Sequence, residues 1–280
     1  MKKLKLSLCQ MKVVDDKDAN ISKAVEMIYK SSKNNADVVA LPEMFNCPYD
    51  NSKFHSYAED LENGETIQAI RKSAKDLNIC VIAGSIPERS EGKVYNTCVV
   101  IDSKGNIIGR HRKVHLFDVN IPGKIVFRES DTLCPGKDIT VVDTGICKIG
   151  IAICYDVRFP EMFRIMALMG AQIVVIPANF NMTTGPLHWE LLMRARAVDN
   201  QIFIAAVSSA RDDKAHYVAY GNSMVADPFG NVLGHLEAEE DILLVDLNLS
   251  EIDRIRNELP LLKHRRDDIY KAYETEKDTL

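Results

Sequence analysis

The sequence predicts an α/β protein built as a single layered domain. Short apolar runs rich in Val and Ile alternate with amphipathic segments of helical spacing through both halves of the chain. The breaks between them are clusters of Pro, Gly, Asn and Asp. No low-complexity linker or short-period repeat interrupts the 280 residues, so one continuous core is the economical reading. The domain is taken as 1–280, with 250–280 as a peripheral extension.

Each element has a local reason. Leu4, Leu6 and Leu8 alternate with polar residues and Lys5 breaks the apolar run, which makes the amino terminus a first strand and not a signal peptide. Asp16 or Asp18 can cap a helix that carries Ile21, Ala24, Val25 and Ile28 on one face. Asp37 to Leu41 is a short buried strand stopped by Pro42, which leaves Glu43 just past its end. Ile67, Ile70, Ala74 and Leu77 recur every three or four residues and predict a helix over Glu65 to Leu77. Ile79 to Ala83 is again a strand. Val94 to Ile101 and Ile107 to Lys113 flank a turn-rich stretch as a hairpin, closing on Lys113.

Leu116 to Gly136 has no clear period and holds Pro122, Gly123, Pro135 and Gly136; a loop of that length in a compact chain is functional or disordered. Ile139 to Val142 and Cys147 to Cys154 form a strand pair around Asp143-Thr144-Gly145. Pro160 and Gly170 punctuate a helix over Glu161 to Met169. Ile173 to Ile176 is a strand ended by Pro177, and Leu187, Leu191, Arg194/Ala195 and Val198 give a helix over Leu187 to Val198. Ile202 to Val207, Gly221 to Ala226, Val232 to Leu236 and Ile242 to Leu247 are strands, with Asp227 to Asn231 turning one hairpin. Ser250 can cap a last short helix, with Asp253 in the capping-box position.

Composition bounds the function. A net charge of -5 gives no footprint for nucleic acid or for an anionic membrane surface. The seven cysteines are odd in number and show no CxxC pair, which suits a reducing compartment and a cytoplasmic protein. No segment approaches the length of a membrane span.

Three strands end in a residue able to do chemistry: Glu43, Lys113 and Cys154. Each has a plain alternative, namely a surface acid, a basic edge after Arg110-His111-Arg112, and an ordinary core thiol. Together they supply complementary roles. A carboxylate can take the thiol proton and return it to a leaving amine. An ammonium lowers the thiol pKa and stabilises a tetrahedral oxyanion. A thiolate attacks an acyl carbon to give a thioester. At a strand that breaks into a helix, the backbone N–H of Tyr155 can help hold that oxyanion. A histidine base is the alternative, and spacing selects none of His111, His115, His188, His216 or His235. No His or Cys pair has convincing metal-ligand spacing, so neither metal nor organic cofactor is expected.

Leu41-Pro42-Glu43, His111-Arg112-Lys113-Val114-His115-Leu116 and Gly150-Ile151-Ala152-Ile153-Cys154-Tyr155-Asp156 resemble the three signature blocks of the nitrilase superfamily of carbon–nitrogen hydrolases. The resemblance runs from about Lys5 to Tyr270. It implies Glu43 as base, Lys113 as oxyanion-stabilising lysine and Cys154 as nucleophile, with Glu129 as a second glutamate lining the site from the long loop. It also implies a four-layer αββα sandwich that dimerises through its helical face.

Further stretches resemble the omega-amidase branch: Phe45 to Tyr49, His115 to Val119, Thr183 to Leu192 and Arg194 to Gln201. Such enzymes hydrolyse the terminal amide of 2-oxoglutaramate and 2-oxosuccinamate. Cys134 and Phe229 depart from the branch pattern without touching the proposed chemistry. The nearest competing reading is an amidase of deaminated glutathione; carbamoylases and nitrilases stand further off, and a non-enzymatic binding protein furthest. A 2-oxo acid amide needs a cationic partner for its carboxylate. Arg158, four residues after Cys154, fills that role, as the matching position does in related carbamoyl-amino-acid hydrolases. Pairing of Arg158 with Glu161 or Asp156 is its structural alternative, and Tyr49 is a second candidate for the same end of the substrate.

Overall fold

The computed structural model describes residues 3–273. The first half runs β1 (Lys3–Gln10), α1 (Lys17–Lys33), β2 (Val38–Ala40), α2 (Asn51–Tyr57), α3 (Glu65–Leu77) and β3 (Cys80–Ile82). A meander of β4 (Ile86–Ser90), β5 (Lys93–Ile101) and β6 (Ile107–Arg112) follows, then a small ribbon of β7 (Asp118–Ile121) and β8 (Ile125–Arg128). The second half runs β9 (Thr140–Asp143), β10 (Lys148–Ile151), α4 (Pro160–Leu168), β11 (Ile173–Ala178), α5 (Gly185–Asn200) and β12 (Phe203–Ser208). It closes with β13 (Met224–Ala226), β14 (Val232–His235), β15 (Asp241–Asn248) and α6 (Ser250–Glu258).

Two sheets result. One has the order β15–β1–β2–β3–β5–β4, with β6 added on β5; the other runs β14–β13–β12–β11–β10–β9. The strands β1 to β3 are parallel, as are β10 to β12, because helices connect them. Leu4, Leu6, Leu8, Val38 and Ala40 share one core with Ile149, Ile151, Val175 and Ala205, which lie on one face of the second sheet. The residues between them, Cys9, Val39 and Leu41, turn the other way onto Ala24, Met27 and Ile28 of α1 and Ile67, Ile70 and Ala74 of α3. That alternation is the period of two of a strand buried on both faces. Phe163 and Met166 of α4, with Trp189, Met193 and Ala197 of α5, cover the second sheet. The layers are helix, sheet, sheet, helix: a four-layer αββα sandwich.

Several boundaries differ from the sequence reading, each for a physical reason. The strand read as Cys147 to Cys154 ends at Ile151. The Asp156 carboxylate takes the backbone N–H of Ile153 at 2.9 Å, which draws the chain out of the ladder before Cys154. β11 does not stop at Pro177 but continues to Ala178. Pro177 points its nitrogen toward the β10 side, where β10 has already ended, so no ladder donor is lost. The stripe that identified α5 is its outer face: Leu187 and Leu191 are 70% and 65% exposed, while Trp189, Met193 and Ala197 are buried.

Of the two candidate caps of α1, Asp16 acts, accepting from Ala19 N at 3.0 Å. Ser250 does not cap α6; it is the first helical residue, and its hydroxyl donates to Asn248 Oδ1. α6 also buries Ile252 and Ile255, so the extension is peripheral only beyond it; its last residues, 274–280, lie outside those described. The aperiodic stretch Leu116 to Gly136 holds the β7–β8 ribbon and a 3₁₀ turn, Glu129–Asp131.

Candidate active site

Four ionisable side chains converge where the two sheets meet. Glu43 follows β2, Lys113 follows β6, Glu129 follows the ribbon and Cys154 follows β10. Glu43, Lys113 and Glu129 are fully buried and Cys154 is 4% exposed. Two glycines let the chain pack closely enough to place them. A Cβ on Gly84, which sits at φ +42°, would fall 2.1 Å from Pro42 O, the carbonyl just before Glu43. A Cβ on Gly136 would fall 2.1 Å from Arg112 O, just before Lys113, whose own carbonyl accepts from Gly136 N at 2.7 Å. Cys154 itself is held at φ +45°, a left-handed conformation that a non-glycine residue adopts only where its surroundings enforce it.

Lys113 Nζ lies 2.9 Å from Glu43 Oε1 and 2.9 Å from Glu129, with Tyr49 OH at 3.4 Å. Glu129 is locked by Tyr49 OH at 2.6 Å and Phe117 N at 2.6 Å. Glu43 Oε1 also accepts from Asn96 Nδ2 at 2.9 Å, and Asn179 Nδ2 donates to the Glu43 carbonyl at 2.8 Å. Among the described residues no group donates a hydrogen bond to Glu43 Oε2. That leaves one carboxylate oxygen free to receive the thiol proton.

Burial opposes the charge of Lys113, but the carboxylates of Glu129 and Glu43 outweigh it and hold the ammonium well above its ordinary range. Burial raises Glu43, opposed by Lys113 and reinforced by Glu129. Lys113 lowers the thiol pKa, as expected, but it is outweighed: burial first, and the Glu43 charge after it, push Cys154 well above the usual thiol value. Cys154 therefore rests as a thiol, and any attack by its sulfur requires the proton to leave. This makes the adjacent carboxylate a requirement of the chemistry.

The pocket beside Cys154 is narrow, with a volume of about 10 Å³, and is lined by Phe117, Tyr155, Arg158, Phe180, Thr184 and Tyr217, among others. Arg158 has neither of the acid partners that its structural alternative required. Its Nη1 lies 3.0 Å from His188 Nδ1, and its guanidinium rests 5.0 Å from the Phe180 ring and 5.6 Å from that of Tyr155. Since arginine only donates, His188 Nδ1 is the acceptor and the ring is neutral; burial and Arg158 both lower its pKa.

Tyr49 is corrected: its hydroxyl is committed to Glu129, and the residue does not line this pocket. Tyr155 is the second residue of the 3₁₀ turn that Cys154 opens, where the first N–H groups have no partner within the turn. The histidine alternatives are engaged elsewhere, His111 and His115 with Asp156, His188 with Arg158 and His235 with Glu237, while His216 lines a separate cavity.

Sequence reasoning missed Asn96, Asn179, Tyr217 and Asp156. Asn96, a polar residue inside the apolar strand Val94 to Ile101, was the available signal for the first; Asn179, directly after a buried strand, was the signal for the second. Among the described residues, no group of three or more His, Cys, Asp or Glu side chains could hold a metal ion.

Comparison with known proteins agrees with this geometry. The sequence profile described as carbon-nitrogen hydrolase matches residues 5–257. The chain is 48% identical over 270 residues to the omega-amidase of Mus musculus, covering 96% of this chain and 98% of that one. It is 45% identical to the omega-amidase of Homo sapiens, again over 96% and 98%. Among solved structures, the branch 10 nitrilase-superfamily member of Saccharomyces cerevisiae superposes with a TM-score of 0.87 at 38% identity, over 95% of this chain and 97% of that one. A mutant of an amidase from Nesterenkonia superposes at 0.79 with 26% identity, over 95% of each chain, and in it the acetamide moiety of fluoroacetamide is added covalently at the active-site cysteine.

Proposed function

The chain belongs to the carbon–nitrogen hydrolase family, and from that premise we propose that it is an omega-amidase acting on 2-oxo acid amides such as 2-oxoglutaramate and 2-oxosuccinamate. The carrying observation is Arg158: a guanidinium with no carboxylate partner among the described residues, facing the pocket that also holds Cys154. A pocket that presents a nucleophile at one side and a free cation at the other suits a short substrate with an amide at one end and a carboxylate at the other.

Each step follows from the geometry. Cys154 Sγ attacks the amide carbon while its proton passes to Glu43. The oxyanion that forms is met by the Lys113 ammonium and the Tyr155 backbone N–H. Glu43 returns the proton to the leaving nitrogen, ammonia departs and a thioester remains. Water, deprotonated by Glu43, then attacks the thioester, releasing the carboxylic acid and restoring the thiol. Glu129 touches Lys113 but not the pocket, and its role is to hold the ammonium in place. The scheme needs no metal or organic cofactor, since base, nucleophile and stabiliser are side chains. Ammonia release from 2-oxoglutaramate, measured beside deaminated glutathione, tests the reading; faster turnover of the latter would replace it.

Arg158→Lys should raise KM for 2-oxoglutaramate by about tenfold or more, because lysine cannot reproduce a bidentate fork. It should affect an uncharged amide of similar length far less. Equal losses on both amides would return Arg158 to a bracing role.

The proposal includes a homodimer in the cytoplasm. Cys9, Cys47, Cys80, Cys98, Cys134 and Cys154 are free thiols, which supports the reducing compartment. The exposed Leu191 and Val198 of α5 line one shallow groove with Phe229, and exposed apolar residues grouped on one helix face suit a subunit contact. Leu191→Glu should halve the mass measured by light scattering on a sizing column; an unchanged mass would place any interface elsewhere.

A further inference from the structure

A carboxylate two residues after the nucleophile takes no part in the scheme above, yet it is fully buried and fully bonded. Asp156 Oδ1 accepts from His115 N at 2.9 Å and from His115 Nδ1 at 2.8 Å. Its Oδ2 accepts from Ile153 N at 2.9 Å and faces His111 Nε2 at 3.3 Å. Ile153 is the residue before Cys154, while His111 and His115 lie two residues on either side of Lys113. One carboxylate thus ties the turn that carries Cys154, after β10 of one sheet, to the segment that carries Lys113, after β6 of the other.

The histidines are themselves fixed. His111 Nδ1 lies 3.1 Å from Thr140 Oγ1, whose hydrogen is given to Arg110 O. The His111 ring is thus held at both nitrogens, by Thr140 on one side and by Asp156 on the other. The His115 ring stacks on Phe159 with centroids 3.5 Å apart and planes 8° from parallel. Phe159 ends the turn that Cys154 begins. The groups facing Asp156 are these two histidines and the Ile153 amide, and its carboxyl is held well below the usual range, burial opposing and both histidines favouring the ionised form.

We infer that Asp156 is a positioning residue that sets the separation between Cys154 Sγ and Lys113 Nζ by clamping the two histidines flanking the lysine. The inference rests on the roles given above to Cys154 and Lys113, and it predicts a loss in the chemical step with substrate binding retained. A displacement of about 1 Å at a reacting pair costs on the order of 10²-fold.

Asp156→Asn keeps the shape but offers an amide N–H where two donors converge, so it breaks the clamp. The expected result is a kcat lowered about a hundredfold with KM for 2-oxoglutaramate changed less than threefold, while circular dichroism stays native. Alkylation of Cys154 by iodoacetamide, followed by intact mass, needs no assumption about substrate and should slow in parallel. If the wild-type protein alkylates rapidly but does not hydrolyse 2-oxoglutaramate, slowed alkylation of the variant still supports the clamp while the omega-amidase reading fails.

Should Asp156→Asn not fold, His111→Phe and His111→Gln decide. Glutamine restores a donor near the Nε2 position, so it should recover most of the kcat lost in the phenylalanine variant. A folded Asp156→Asn with wild-type kcat and alkylation rate would overturn the inference. So would a loss in both histidine variants that follows only the fraction of unfolded protein.

Discussion

Replacing Cys154 by Ala should leave a folded protein whose amide hydrolysis is lower by on the order of 10⁴-fold or more, the scale seen when a covalent nucleophile is removed. The substitution deletes only the sulfur atom. Its backbone already stands at φ +45°, a conformation that strains alanine and cysteine alike, so the change adds little strain. The site it leaves still holds the Lys113 ion cluster, which does not depend on the thiol. The melting temperature should therefore stay within a few degrees of the native value. Rapid quenching of the wild-type protein during turnover should trap the acyl group as a mass increase that Cys154→Ala lacks. Ordinary ammonia release by the variant would remove the thioester route altogether.

The second large effect is on Lys113. Lys113→Met retains most of the volume but leaves Glu43 and Glu129 facing each other with no cation between them, both fully buried. Breaking a buried ion pair from one side costs about 3–5 kcal/mol, since the remaining charge is uncompensated. Activity should fall by at least about 10²-fold as well, the usual loss for an oxyanion donor.

The stability loss has a sign that can be checked. Burial and the opposing carboxylate raise the folded pKa of Glu43, so in the variant one of the two acids binds a proton more readily folded than unfolded. The destabilisation is then greatest at neutral pH and eases as pH falls through that raised value. Glu43→Gln should separate the two effects. It leaves Lys113 paired with Glu129, so stability changes little while hydrolysis drops by about 10²- to 10⁴-fold for want of a base. Chemical denaturation of the three proteins between pH 5 and 8 reads the first effect, and ammonia release reads the second. A Lys113→Met protein as stable as wild type at neutral pH would mean that the buried carboxylates are not both ionised.

How much of this was legible in the sequence follows from which interactions are local. Caps, turns and helical stripes depend on neighbours within a few residues, and α3 was located to the residue because Ile67, Ile70, Ala74 and Leu77 all face the core. The outer stripe of α5 obeyed the same spacing, and spacing alone cannot tell which of two apolar faces of a helix meets a sheet. The strand end at Ile151 was missed because the Asp156 side chain, not a proline or glycine, releases the chain from the ladder. Glu43, Lys113 and Cys154 stood out as chemistry at strand ends, yet their mutual distances depend on two sheets whose pairing no local pattern encodes. The thiol pKa shows the same limit: Lys113 lowers it as the sequence implies, but burial and the Glu43 carboxylate, which only the folded site supplies, outweigh the lysine.

The register of β1 also bears on how the chain is made. Lys3 to Gln10 pairs antiparallel with Asn248 to Asp241 on one edge and parallel with β2 on the other, so the first strand synthesised waits for the last. Gln10 reinforces the closure, accepting from Ser223 N at 2.9 Å and donating to Glu237 O at 2.7 Å. A nascent chain that has not yet released β15 from the ribosome carries β1 as a bare strand edge, open to pairing with other chains. Translation arrest before Asp241 should thus yield insoluble product, whereas a permuted gene that encodes the β15–β1 pair contiguously should shorten that exposed interval and fold faster.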